Sequence, residues 1–264
     1  MNAEDQLEVR ENGFNPLLFP VVFAQGLWVK RITPRLPDAA GPTEGTVAGK
    51  SPAFRLIMLG ESTVAGIGAP THEFALTGQT AKSFARLSGR AVHWLALGRS
   101  GANARIALAE LAPKLAKRHA DAVVIALGIN DSTGLNSATR WKADILKLVC
   151  AIRGQLGDVK IIISGPPPLG SFPAFPKLLR SFLGGRSRIL DQALSQLVPS
   201  LHNIVHAPMV REMHDRHFCE DKFHPSTAGY AAWGEYLGRH LAEAFFSPGF
   251  TASARATDNG AEHC

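Results

Sequence analysis

The chain has 264 residues, room for one large domain or a domain with an appendage, and its 45% hydrophobic and 19% charged residues exclude a disordered polymer. Its formal charge of +6 is spread over interspersed basic and acidic residues. The densest basic stretch, "KLAKRH" (Lys114 to His119), lacks the interleaved aromatics of a nucleic-acid surface and reads as a solvated helix face.

At the N-terminus, "FNPLLFPVVFAQGLWV" (Phe14 to Val29) is apolar but is interrupted by Pro16 and Pro20. It falls short of the roughly 20 residues that a spanning helix needs. A secretory signal would carry a basic leader, whereas Glu4, Asp5, Glu8 and Glu11 precede this run. Lys30, Arg31 and Arg35 follow it. Two readings stand open for this arm: a segment lying on an anionic membrane surface, or an apolar arm packed on the protein's own body. Residues 33–52, rich in Pro, Gly and Ala, read as a linker. The expected organisation is an arm and linker over 1–50, a domain over 51–247 and a flexible tail over 248–264.

From Ala53 onward, short apolar runs alternate with helical patterns. The candidate strands are Phe54–Gly60, Ala91–Gly98, Asp121–Gly128, Val159–Gly165 and Asn203–Pro208. Helix-like segments lie around 75–88, 102–118, 137–155 and 185–198, with a last one from Thr227 to Phe246. Such alternation implies right-handed crossovers and a flavodoxin-like three-layer α/β sandwich, with a central parallel sheet of about five strands and helices on both faces. Four of the strands end in glycine, at Gly60, Gly98, Gly128 and Gly165. Ligands of open α/β sheets bind beyond the carboxyl ends of the strands, so the residues after these glycines should gather at one rim.

After Gly60 come Glu61 and Ser62. A serine opening the next helix has its own N–H free at the positive end of the helix dipole, which suits an attacking hydroxyl and the oxyanion it creates. Serine is equally a favoured helix cap. After Gly98, "RSGAN" offers Gly101, whose bare backbone N–H could approach a reacting carbonyl, or which could simply make a turn. After Gly128, "INDST" offers Asn130, an oxyanion-donor type that is also common in Asx turns. In "CEDKFHPSTAGY", Asp221 precedes His224 by three residues, and Pro225 keeps His224 out of the helical region. Asp221 could hold one ring nitrogen while the other faces a serine hydroxyl.

A metal site over His214, His217, Cys219, Glu220 and His224 matches no standard zinc spacing, and Arg216 and Lys222 would repel a cation. No metal or cofactor is expected. Cys150, Cys219 and Cys264, at no regular spacing, do not read as a disulfide framework and suit a reducing, cytoplasmic compartment. No G-x-G-x-x-G follows a strand, no phosphate-binding loop closes "GESTVAGIGA", and the G-x-S-x-G elbow is missing, although "GRSG" approaches it at Ser100.

With these residues in order, the chain resembles the SGNH hydrolases, also called the GDSL-type esterase and lipase family: Ser62 in "GES", Gly101 in "RSGA", Asn130 in "GIND" and His224 in "DKFHP". The resemblance covers about Ala53 to Phe246. It implies a serine esterase in which Ser62 attacks an ester carbonyl and Asp221 and His224 complete the triad. It also implies an oxyanion hole made by the N–H groups of Ser62 and Gly101 and the side chain of Asn130. One departure is Glu61, which stands where the family usually shows Asp and lengthens by one methylene the acid that holds the turn.

The substrate side is read from "PPPLGSFPAFPKLLRSFLGG" (Pro166 to Gly185), a long connection at the rim. Phe172, Phe175, Leu178, Leu179 and Phe182 could line an acyl pocket or pack as ordinary core. An apolar lining favours short to medium acyl or aryl esters over free sugars. The family also holds carbohydrate deacetylases, thioesterases and lipases, among which resemblance does not choose. The expected partner is a small-molecule ester. A lipid acylhydrolase that docks through the arm is the first rival, and a non-catalytic binding module on the same fold is the second.

Overall fold

The computed structural model describes residues 15–208, 210 and 213–246. Its centre is a six-stranded sheet in the order β1-β3-β2-β4-β5-β6. The strands are β1 (Glu44–Val47), β2 (Lys50–Gly60), β3 (Arg90–Gly98), β4 (Ala122–Ala126), β5 (Lys160–Ser164) and β6 (Ile204–Ala207). β2 to β6 run parallel and β1 is antiparallel to β3. Every residue of β4 is buried, as expected for a strand covered on both faces.

The helical layers pack against the sheet in two main cores. On one face, α3 (Leu76–Ser88) and α8 (Thr227–Phe246) bury Phe84, Tyr230, Leu237 and Leu241 against Phe54, Leu56 and Met58 of β2. On the other, α6 (Ala138–Leu156) and α7 (Lys177–Leu197) bury Trp141, Ile145, Leu148, Leu190 and Leu194 against Val123, Ile125 and Ile161. These side chains recur at three- and four-residue spacing, which turns one face of each helix to the sheet. A third, smaller cluster at the rim joins α1 (Phe19–Ile32), through Val22 and Val29, to Phe172, Phe175, Leu179 and Phe182.

Several elements differ from the sequence reading. β1 lies within the stretch read as linker. It is a four-residue, half-exposed edge strand, too short for its alternation to stand out among the glycines. Pro20 does not interrupt the arm: it falls in the first turn of α1, where the missing N–H had no helical acceptor to lose. Residues 104–115 are an α-turn (α4, Ala104–Ile106), a π segment (Ala107–Leu111) and a 3-10 turn (Ala112–Leu115) in place of one regular helix. Pro113 has no N–H for a carbonyl one turn back, so the regular ladder ends there. α7 begins at Lys177, so part of the expected long connection is its first two turns. Cys219 is a free thiol; Cys264 and the expected tail lie outside the described residues. No described helix is long and apolar enough to cross a membrane.

Candidate active site

The parallel register pairs Gly60 at the end of β2 with Gly98 of β3 and Ala126 of β4. The connection after β2 runs to β3 on one side and the connection after β4 runs to β5 on the other, which makes the gap between the carboxyl ends of β2 and β4 a topological switch point. A Cβ on Gly98 would lie 2.1 Å from the Ala65 nitrogen, so only glycine lets the short helix α2 (Ser62–Ala65) rest on the sheet's end. Ser62 opens α2 and is 6% exposed. The Glu61 carbonyl accepts the N–H groups of Val64 and Ala65 at 2.9 and 3.0 Å. The Ser62 N–H belongs to the first turn, where no helical carbonyl is available.

Glu61 points inward and is fully buried. Its Oε1 accepts the N–H of Ile129, the first residue of the short helix α5 (Ile129–Thr133), at 3.0 Å, and its Oε2 accepts the Asn130 N–H at 3.1 Å and the Asn130 Nδ2 at 2.5 Å. Burial pushes its carboxyl up to about 8, with the neighbouring Asp131 charge adding to the rise and the Ile129 and Asn130 donors opposing it. Asn130 gives its other amide hydrogen to the Ala102 carbonyl at 3.0 Å. One side chain thereby ties the β2, β3 and β4 loops together. To serve an oxyanion, Asn130 must share or exchange one of these two bonds.

The β3 loop turns through Arg99–Ala102, closed by the Ala102 N–H to the Arg99 carbonyl at 3.0 Å. Gly101 sits in this turn at φ 78°, a region that disfavours any side chain, with open space where a Cβ would point. Ser100 donates to Asp38 Oδ1 at 2.8 Å and is thereby committed to the segment after α1. Asp131 is fully buried and accepts from the Ala104 N–H and Asn136 Nδ2. Its carboxyl is raised to about 6 by burial against those donors. It braces the loop from within.

The last element is the segment before α8. Asp221 Oδ2 accepts from His224 Nδ1 at 2.6 Å, while Oδ1 accepts the N–H groups of Phe223 and His224 at 3.0 and 2.9 Å. Burial pushes the Asp221 carboxyl up, but the His224 ring and these two amides outweigh it and hold the group below the usual carboxylate range. A carboxylate at this position fixes the proton on Nδ1 and leaves Nε2 as the basic nitrogen. The Cys219 N–H to the His224 carbonyl at 2.8 Å pins the histidine backbone. Among the described residues, Ser62 Oγ makes no hydrogen bond to His224.

Gly101, Asn130 and His224 line one cavity of about 790 Å³, whereas Ser62 is buried and is not part of its wall. Of the five residues expected to line an acyl pocket, Phe175, Leu179 and Phe182 line this cavity. Phe172 does not: it is 2% exposed and packed among Phe175, Phe218 and Phe223 at ring distances of 5.0 to 5.8 Å. Leu178 does not either: partly buried, it packs against the apolar cluster of Phe172, Phe175 and Phe182. The sequence reading missed that α1 supplies the opposite wall, through Phe19, Val22, Gly26 and Val29. The signal was present in the uncharged apolar run from Phe14 to Val29. Among the described residues, no group of three His, Cys, Asp or Glu is placed to hold a metal ion.

Comparison with known proteins bears on this arrangement. The family model described as the GDSL-like lipase/acylhydrolase family matches residues 58–232. A GDSL-like esterase of Mycobacterium tuberculosis is 28% identical over 200 residues, which are 72% of this chain and 62% of that protein. The chain thus spans less than two thirds of that relative's length. Among solved structures, a carbohydrate acetylesterase from Sinorhizobium meliloti superposes with a TM-score of 0.55 at 18% identity, covering 73% of this chain and 100% of that one. A lipase from a goat rumen metagenome gives 0.55 at 19% identity, over 73% and 98% of the two chains. At these identities the structural likeness speaks to the fold.

Proposed function

The chain belongs to the GDSL-like lipase/acylhydrolase family, and from that premise we propose that it is a carboxylic ester hydrolase working through Ser62, His224 and Asp221. The observation that carries this reading is the 2.6 Å contact from Asp221 to His224, with His224 on the same cavity wall as Gly101 and Asn130. Ser62 Oγ attacks the ester carbonyl carbon while His224 Nε2 takes its proton. The carbonyl oxygen becomes an oxyanion facing the N–H groups of Ser62 and Gly101 and the Asn130 amide. Collapse expels the alcohol, which takes the proton from Nε2, and leaves the acyl group on Ser62. A water then repeats the sequence, giving its proton to Nε2 and releasing the acid. Ser62 approaches Nε2 on substrate binding, since catalytic hydrogen bonds tighten in the Michaelis complex.

The cavity's phenylalanine and leucine walls support short to medium acyl or aryl esters over sugars, although a relative in fold is a carbohydrate acetylesterase. Hydrolysis of p-nitrophenyl esters of graded chain length tests the reading. Turnover with a chain-length optimum supports it; absence of turnover at every length makes the chain a binding module on an esterase fold. The cytoplasmic placement and the division into an arm and linker over 1–50 and a domain from 51 stay part of this proposal.

A further inference from the structure

Seven of the ten exposed large apolar side chains lie between Leu17 and Ile32, so the arm holds most of the exposed hydrophobic surface of the described residues. The helix α1 is apolar on two faces. Its inner face buries Val22 and Val29 at 3% and 6% exposure and walls the cavity that reaches His224. Gln25 Oε1 fastens it to α7 by accepting the Leu179 N–H at 3.0 Å. On its outer face, Val21, Trp28 and Ile32 are 47%, 53% and 52% exposed and absent from the cavity wall. With exposed Ala24 they recur every three or four residues, so they form one stripe. Lys30 and Arg31 occupy the last turn and Arg35 follows, while residues 15–37 contain no acid.

We propose that α1 is both the roof of the acyl cavity and a lipid-docking helix: its outer stripe rests on an anionic lipid surface, and the cavity beneath receives an acyl chain of an ester drawn from that surface. The proposal rests on the esterase reading of the site and names where its substrate comes from. A tryptophan and aliphatic stripe flanked by cations is the composition that lies in a lipid headgroup boundary, with apolar side chains sunk and basic ones against the phosphates. A second copy of this chain would set Arg31 and Arg35 against their like across a symmetric contact, which charge disfavours. The helix is short of a membrane span, so it lies on the surface. The cavity that α1 walls also reaches His224, which gives a chain leaving the lipid a route to the candidate catalytic groups.

The test uses the full chain and the double variant V21D/W28D, which touches neither the cavity wall nor the candidate triad. Both are mixed with vesicles of equal parts phosphatidylcholine and phosphatidylglycerol, and with pure phosphatidylcholine. The expected result is that the wild type pellets with the anionic vesicles, less with the neutral ones, and that the variant's partitioning falls at least about tenfold. Its turnover of soluble p-nitrophenyl acetate stays within about twofold, which also reports that it is folded. Its hydrolysis of a long-chain ester carried in the vesicles falls with the partitioning. Equal pelleting of the two proteins, or a wild type that stays in the supernatant, overturns docking. Absence of p-nitrophenyl acetate turnover by the wild type overturns the esterase reading instead, and pelleting still reads docking separately.

Discussion

Glu61 and Asn130 are joined twice, the Glu61 Oε2 accepting both the backbone N–H and the side-chain amide of Asn130. The acid next to the proposed nucleophile therefore positions the proposed oxyanion donor. Both oxygens of Glu61 must accept, because Ile129 donates to the other. The variant E61Q keeps the length but replaces one oxygen, which can accept in either protonation state of the carboxyl, with an amide nitrogen that accepts nothing, while E61D keeps both oxygens. E61Q should lose roughly 1–3 kcal/mol of stability and most of its kcat, with E61D recovering a large part of both. Thermal unfolding and ester kinetics measure this. Equal kcat in E61Q and wild type would leave Glu61 a packing residue.

The same carboxyl gives a pH dependence. Its folded value is raised from 4.5 to about 8, so the folded state holds the proton more tightly than the unfolded chain. The stability this group contributes is present below about pH 4.5 and is lost as pH rises to about 8. Asp221 has the opposite sign: its depressed value adds stability above the usual carboxylate range that is lost in acid. The stability gap between wild type and E61Q should narrow from pH 4.5 to 8. Parallel urea-unfolding curves of the two proteins across this range would remove Glu61 as the titrating group.

Asn130 links Glu61 to the Ala102 carbonyl and so holds the turn that presents Gly101. Asn130→Ala should lower kcat by about 10²–10³ with little change in KM, since an oxyanion donor acts mainly in the transition state. A normal kcat would make the residue a loop brace alone.

The cavity wall predicts selectivity. Val22 is 3% exposed on the inner face of α1, and Val22→Trp places a large ring in the space an acyl chain would use. Activity on a decanoate ester should drop by about tenfold or more relative to acetate, as buried methylenes worth up to about fourfold each lose their place. An unchanged ratio of the two rates would place the acyl chain elsewhere.

Much of this was legible in the sequence because it depends on local patterns. The apolar runs mark all five parallel strands, and the glycines that end β2 and β3 mark where the chain must pass close to α2. The last helix was bounded correctly at Thr227 and Phe246 because Pro225 before it and the periodicity within it are both strong. The less legible parts depend on partners distant in sequence. Nothing near α1 says that its inner face meets Phe182 on α7. Nothing near Glu61 says that its longer side chain spans to Ile129 and Asn130, where a shorter acid is usual. Ser100 and Ser62 look alike locally, and only the Asp38 partner sets them apart.

That last contrast carries the central claim, that Ser62 is the nucleophile. Ser100 Oγ is bonded to Asp38, and Gly101 beside it is wanted as an oxyanion donor, whereas Ser62 Oγ makes no hydrogen bond among the described residues. Ser62→Ala should abolish ester hydrolysis by about 10⁴-fold or more, and Ser100→Ala should stay within about tenfold. The most direct measurement is to treat the wild-type chain with a fluorophosphonate and map the adduct by peptide mass spectrometry. A single adduct on Ser62, lost in Ser62→Ala and kept in Ser100→Ala, is the result the account predicts; an adduct on Ser100, or labelling that survives in Ser62→Ala, would contradict it.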